Sequence, residues 1–208
     1  MTVPAQPRSG TGPATLPLLP LFPLRTVLFP EGPLPLRIFE PRYLTMVSRC
    51  LKRAEPFVVT LIQDGGDPGH TRAAAIGTTA QITDFGQAKD GLLTLTTVGV
   101  RRARVRDVRR EADGLNFGSV ELLEPEARVA LAPADAVLVG VLRELLPDDE
   151  PSYRGLVRRW DDATWLGHRL CEQLPLELKQ RQVLLELDDA RARLEALRPM
   201  ASALAEPR

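Results

Sequence analysis

The side chains best able to do chemistry here are few and scattered. The chain has 2 histidines, His70 and His168, and 2 cysteines, Cys50 and Cys171. Neither histidine has a cysteine or carboxylate at metal-ligand spacing, and the thiols are far apart, each inside a helical pattern. Such thiols read as small buried hydrophobes rather than as a disulfide or a metal pair. The acid pairs Asp148-Asp149 and Asp188-Asp189 sit where helices begin or chains turn, so they read as caps or solvated turns rather than a general acid and base. The chain contains no Gly-x-Ser-x-Gly elbow and no Gly-x-x-x-x-Gly-Lys-(Ser/Thr) phosphate cradle. These absences argue against an enzyme, and no catalytic, cofactor-binding or metal-binding residue is nominated.

Charge is equally uninformative about a polyanionic partner. The 27 basic residues are balanced by 27 acidic ones, and aromatic residues make up 5% of the chain. The exception is "RRARVRDVRR", residues 101–110, which reads as the solvated face of a strand, with a phosphate or acidic-partner patch as the alternative. No secretory signal pattern opens the chain and no apolar run reaches the ~18 residues that span a bilayer, so the expectation is a cytoplasmic protein.

The elements that must position any binding surface divide along the chain. Residues 1–15 are rich in Pro, Gly, Ser and Thr and read as a disordered tail. Residues 16–125 read as a β subdomain, 126–132 as a linker, and 133–200 as a helical subdomain. "FVVTLI" (57–62) and "AAIGTTAQITDF" (74–85) are strand patterns, and Asp90-Gly91 is a hairpin turn. In "LLTLTTVGVRRARVRDV" the apolar alternation changes phase beside Gly99, which predicts a β-bulge of the kind that turns barrel corners. The helical part carries apolar faces at Val137, Leu138, Val141, Leu142 and Leu145, and then a seam through Val183, Leu187, Ala190, Leu194 and Leu197 with a break near Asp188.

Prolines 17, 20, 23, 30, 33 and 35 crowd the first strands. Proline cannot donate to a ladder, so this segment reads as a sheet margin that is not paired on both sides. Glu40-Pro41 then turns it into a helix with Tyr43, Leu44, Val47, Cys50 and Leu51 at helical spacing.

"LPLLPLFPLRTVLFPEGPLPLRIFEPRY" (16–43), followed by "IGTTAQITDF", "GLLTLTTVGVRRARV" and the distant "RQVLLELDDARARLEAL", resembles the N-terminal substrate-binding domain of Lon proteases from about residue 16 to 198. The resemblance implies an α+β fold: a PUA-like pseudo-barrel of antiparallel strands followed by a C-terminal helical bundle. It implies a non-catalytic, stand-alone module, without cofactor, that engages exposed hydrophobic segments of unfolded or tagged polypeptides. It also implies a role as adaptor or regulator in proteolysis, with Lon protease itself a candidate partner. An RNA-binding PUA-like module is the alternative, resting on residues 101–110. Within the signature, Arg37, Glu40, Arg42 and Tyr43 are the candidate peptide-binding residues. The competing expectation is that Glu40 caps the helix and pairs with an arginine while Phe39 and Tyr43 fill the core. Trp160 and Trp165 are expected to pack.

Overall fold

The computed structural model describes residues 16–63 and 72–205; His70 and the stretch 1–15 lie outside the described residues. Strands β1 (Leu18–Leu24), β2 (Pro33–Ile38), β3 (Phe57–Gln63), β4 (Arg72–Ala73), β5 (Ile76–Gln87), β6 (Leu93–Arg110) and β7 (Asn116–Leu122) form one sheet, with helix α1 (Pro41–Arg53) between β2 and β3. The hydrogen-bonded order β1-β7-β6-β5-β3 closes on itself because β1 also pairs with β3. That closing contact is parallel, whereas β1–β7, β6–β7, β5–β6 and β3–β5 are antiparallel.

The proline-rich first strand is therefore paired on both sides, contrary to the expectation from composition. The stagger explains how. Residues Leu18–Leu21 face β7 and Leu21–Leu24 face β3, so the two ladders overlap only at Leu21. Pro20 lies opposite Phe117 alone and Pro23 opposite Thr60 alone. No proline has to serve two ladders at once. β2, with Pro33 and Pro35, pairs only with β6 and is an edge strand as expected.

β6 is the spine of the barrel. It pairs with β2 and β5 through its first half and with β5 and β7 further on. Arg101 lies opposite Thr79 and Gly99 opposite Ala80, so Val100 is the extra residue of a bulge where the sequence predicts one. Glycine is needed there because a Cβ on residue 99 would meet Phe29 O at 2.2 Å. The close approach lets the loop after Phe29 pair with the strand: Glu31 N donates to Gly99 O, and Gly99 N to Gly32 O.

α1 begins as the sequence indicates, with Pro41 in its first turn and Glu40 at the N-cap in extended geometry. Glu40 makes no side-chain cap bond, however, and its carboxylate instead lies 2.6 Å from Arg42 Nη2. Tyr43, Met46, Val47 and Cys50 bury the inner face, while Leu44 and Leu51 are exposed. Phe39, expected in the core, is 68% exposed. It sits in the turn between β2 and α1, where the chain reverses before the helical face can shelter it.

Beyond the barrel, α2 (Ala136–Leu145), α3 (Ala163–Gln173), α4 (Leu178–Glu186) and α5 (Ala190–Ala205) pack together over a core that includes Leu138, Leu142, Leu166, Leu170 and Leu197. The expected break near Asp188 separates α4 from α5, and Asp189 Oδ1 accepts from the N–H groups of Arg191 and Ala192 at the start of α5. That break shifts the helical phase, so Val183 is exposed and Leu184 and Leu185 are buried in its place. Val137, expected on the buried face of α2, is also exposed. Trp160 and Trp165 pack edge to face with centroids 5.2 Å apart.

Candidate functional site

A buried polar seam joins barrel to helices. Arg102 on β6 reaches across to the carbonyls of Leu185 and Leu187 and to Asp188. Its Nε lies 3.2 Å from Glu126 Oε1, and Arg193 Nη1 on α5 donates to Glu126 Oε2 at 2.7 Å. His168 Nε2 lies 3.3 Å from Glu126 Oε1 without the alignment of a hydrogen bond. Burial pushes His168 down to about 4, so the ring is neutral near pH 7. For Glu126, burial acts upward, but the nearby His168 ring and the two hydrogen bonds from Arg193 prevail and hold it at about 2. This carboxylate is structural. Two guanidiniums are fixed on it and its side chain is 6% exposed.

The four residues nominated from sequence come together at the start of α1, around a pocket of about 230 Å³. Each is held by the fold. Arg37 is paired with Asp90 of the β5–β6 turn. Arg42 donates to Gly114 O at 3.4 Å and stacks 4.7 Å over the Tyr43 ring. Tyr43 is buried against Phe22 at 4.2 Å between centroids, and burial raises its hydroxyl.

A larger groove of about 640 Å³ runs along the other end of α1, between the helix and the strands. Its floor holds buried Leu19 and Cys50, and three exposed apolar side chains, Leu51, Val100 and Leu122, converge on it. Ala54, in left-handed geometry at φ 50°, ends α1 and lines the groove. Burial pushes the Cys50 thiol up to about 12, so at neutral pH it is a hydrophobic lining group and not a nucleophile. Sequence reasoning put Leu51 at helical spacing with the residues of α1 and did not single out Leu122; the phase slip beside Gly99 is the sequence sign of the outward Val100.

The sheet edges are less suited to taking on a strand. Beyond Ala80, β5 has no neighbour on the side away from β6 among the described residues, but a bulge falls between Ile82 and Asp84, and Asp84 Oδ1 caps the Phe85 N–H at 2.8 Å. The far end of β6 is broken by a second bulge between Arg106 and Arg109, with Asp107 at φ 47°. The basic run is also largely screened. Arg104 and Arg106 share Glu121, Arg109 meets Glu111, Arg101 meets Glu124, and Arg102 is buried in the seam.

Among the described residues no helix is long and apolar enough to cross a membrane and no cluster of His, Cys, Asp or Glu could hold a metal ion. Residues 18–201 match a sequence model described as the ATP-dependent protease La (LON) substrate-binding domain. The chain is 40% identical to a Lon N-terminal domain protein from Xanthomonas campestris, with a TM-score of 0.73 covering 88% of this chain and 97% of that one. The N-terminal domain of a Mycobacterium avium complex Lon protease shares the fold at 18% identity, with a TM-score of 0.63 over 89% of this chain and 98% of that one. Among curated relatives, zebrafish (Danio rerio) cereblon is 35% identical over 112 residues, 52% of this chain and 25% of cereblon. The Lon protease of Erwinia amylovora is 24% identical over 190 residues, 88% of this chain and 24% of that protein. The chain thus spans about a quarter of the length of these curated relatives.

Proposed function

Because the chain belongs to the Lon substrate-binding domain family, we propose that it is a non-catalytic module that captures exposed apolar segments of polypeptides and acts as an adaptor or regulator in proteolysis. The observation carrying this reading is the convergence of Leu51, Val100 and Leu122, each 43–51% exposed, on one groove beside α1. Covering such half-exposed side chains is worth roughly 1 kcal/mol each, and a guest side chain seated on them contributes a similar amount. After the cost of association, affinity falls in the micromolar range or weaker. Weak capture that tolerates many sequences suits a domain that samples unfolded chains.

The groove supports this better than strand addition, because the sheet edges carry bulges, prolines and a carboxylate cap. RNA binding is disfavoured by the acids that screen residues 101–110. The pocket lined by Arg37, Glu40, Arg42 and Tyr43 is proposed as a secondary contact on the same helix, with exposed Phe39 at its rim. A full-length Lon protease is the proposed partner to which captured chains are presented.

The test is fluorescence anisotropy with a reduced, carboxymethylated model protein that cannot fold. The wild type is expected to bind it without nucleotide and without cleaving it. The Leu51→Glu/Leu122→Glu variant should lose at least tenfold in affinity while melting as the wild type does. Unchanged affinity in that variant, or binding of RNA alone, would overturn the reading.

A further inference from the structure

The bulge that projects Val100 into the groove is not held by the barrel strands alone. The loop just before β2 clamps it: Glu31 N donates to Gly99 O at 2.7 Å, and Gly99 N donates to Gly32 O at 2.9 Å. That loop is strained. Glu31 sits at φ 61°, in the left-handed region, where a side chain is kept only if its surroundings fix it.

The fixing groups come from the helical part. Arg169 of α3, fully buried, donates through Nη2 to Pro30 O at 2.7 Å and to Glu172 Oε1 at 3.0 Å. Glu172 rests directly on Gly32, where a Cβ would meet its Oε1 at 2.0 Å. Gly32 is not among the positive-φ glycines, so the carboxylate, and not the backbone, is what excludes a side chain there. Glu172 Oε2 accepts from the Tyr153 hydroxyl, and Arg159 pairs with the Glu31 side chain. Each residue of the loop is thus engaged from across the junction, yet Gly32, Tyr153, Arg169 and Glu172 are all absent from the lining of the groove.

We propose that Tyr153, Arg169 and Glu172 form a latch that positions Val100 for the apolar segment bound beside α1. They are positioning residues: they reach the occupant only through the loop at Pro30–Gly32 and the bulge it clamps. The inference rests on the polypeptide-binding reading and adds that the shape of the barrel's groove is set from the helical part.

A double-mutant cycle tests this on the full chain, by fluorescence anisotropy with a fluorescein-labelled apolar peptide and at a temperature where circular dichroism shows every variant folded. Gly32→Ala displaces the Glu172 carboxylate from the barrel side, and Tyr153→Phe removes its hydroxyl donor from the helical side. Each should weaken binding roughly threefold, and no more than Val100→Ala, which removes most of one half-covered side chain. Combined with Val100→Ala, neither should weaken binding further. Combined with Leu122→Ala, on β7 and outside the clamp, the losses should multiply. If Gly32→Ala does not fold, Tyr153→Phe carries the test alone. Latch variants that bind as the wild type does overturn this inference and leave the polypeptide reading standing, and so do losses that multiply with Val100→Ala. Failure of the wild type to bind the peptide overturns the polypeptide reading and this one with it.

Discussion

Replacing Glu126 by Gln removes the one carboxylate that two buried guanidiniums share, Arg102 at 4% and Arg193 at 0% side-chain exposure. Its size can be worked two ways. The carboxyl is held at about 2 against an ordinary 4.5, and that difference is worth about 3 kcal/mol at pH 7. Breaking a buried pair by deleting one partner costs about 3–5 kcal/mol, since the remaining charge stays buried. Urea unfolding at pH 7 should therefore show a loss of about 3 kcal/mol, with Tm lowered by roughly 6–12 °C for a chain of this size. The pH dependence supplies a second check. A depressed carboxyl stabilises above its unfolded value, and that contribution disappears as pH falls from about 4.5 through about 2. His168 is a base depressed from 6.5 to about 4, so the unfolded chain binds its proton first and stability falls as pH drops from 6.5 towards 4. At pH 5 this amounts to about 2 kcal/mol below the plateau above pH 7. In Glu126→Gln the histidine slope should persist and the lower one vanish. A variant within about 1 kcal/mol of wild type at pH 7, or a wild type equally stable at pH 5 and 7, would refute the account of the seam.

Two further outcomes test the scaffold. Gly99→Ala places a Cβ 2.2 Å from Phe29 O; backbone must move, and chemical denaturation should show a loss of about 2 kcal/mol or more. Asp162→Ala removes the acceptor for Thr164 N at 2.9 Å and Val129 N at 3.2 Å; hydrogen exchange in the first turn of α3 should quicken and stability fall by about 1–2 kcal/mol.

Much of the fold is legible locally. The Gly99 phase slip, the Pro41 helix start and the α4–α5 break are each written in residues adjacent to the feature they produce. What was not legible depends on pairing between distant segments. Composition rightly says that proline donates nothing to a ladder, but it cannot show that β1 is staggered so that each of its prolines faces one partner strand alone. The seam was hidden for the same reason: Arg102, Glu126 and Arg193 look like solvated charges until the chain brings β6, the linker and α5 together. Phe39 shows the converse error, an aromatic assigned to the core by type and left outside by the geometry of a turn.

The seam and the binding surface are also linked physically. Arg101 lines the groove while Arg102, its neighbour on the strand, turns into the seam, so the bulge at Val100 divides β6 into an outward-facing ridge and an inward-facing anchor. Arg102 fixes that strand to the carbonyls at the end of α4, and Arg169 fixes α3 to Pro30 O in the loop that pairs with Gly99. The groove takes Val100 and Arg101 from this same strand, so loosening the seam should weaken binding of an apolar segment, though less than Leu51→Glu/Leu122→Glu, which alters the lining itself. Glu126→Gln at a temperature where it remains folded tests this: affinity equal to that of the wild type would mean that the seam does not position the groove.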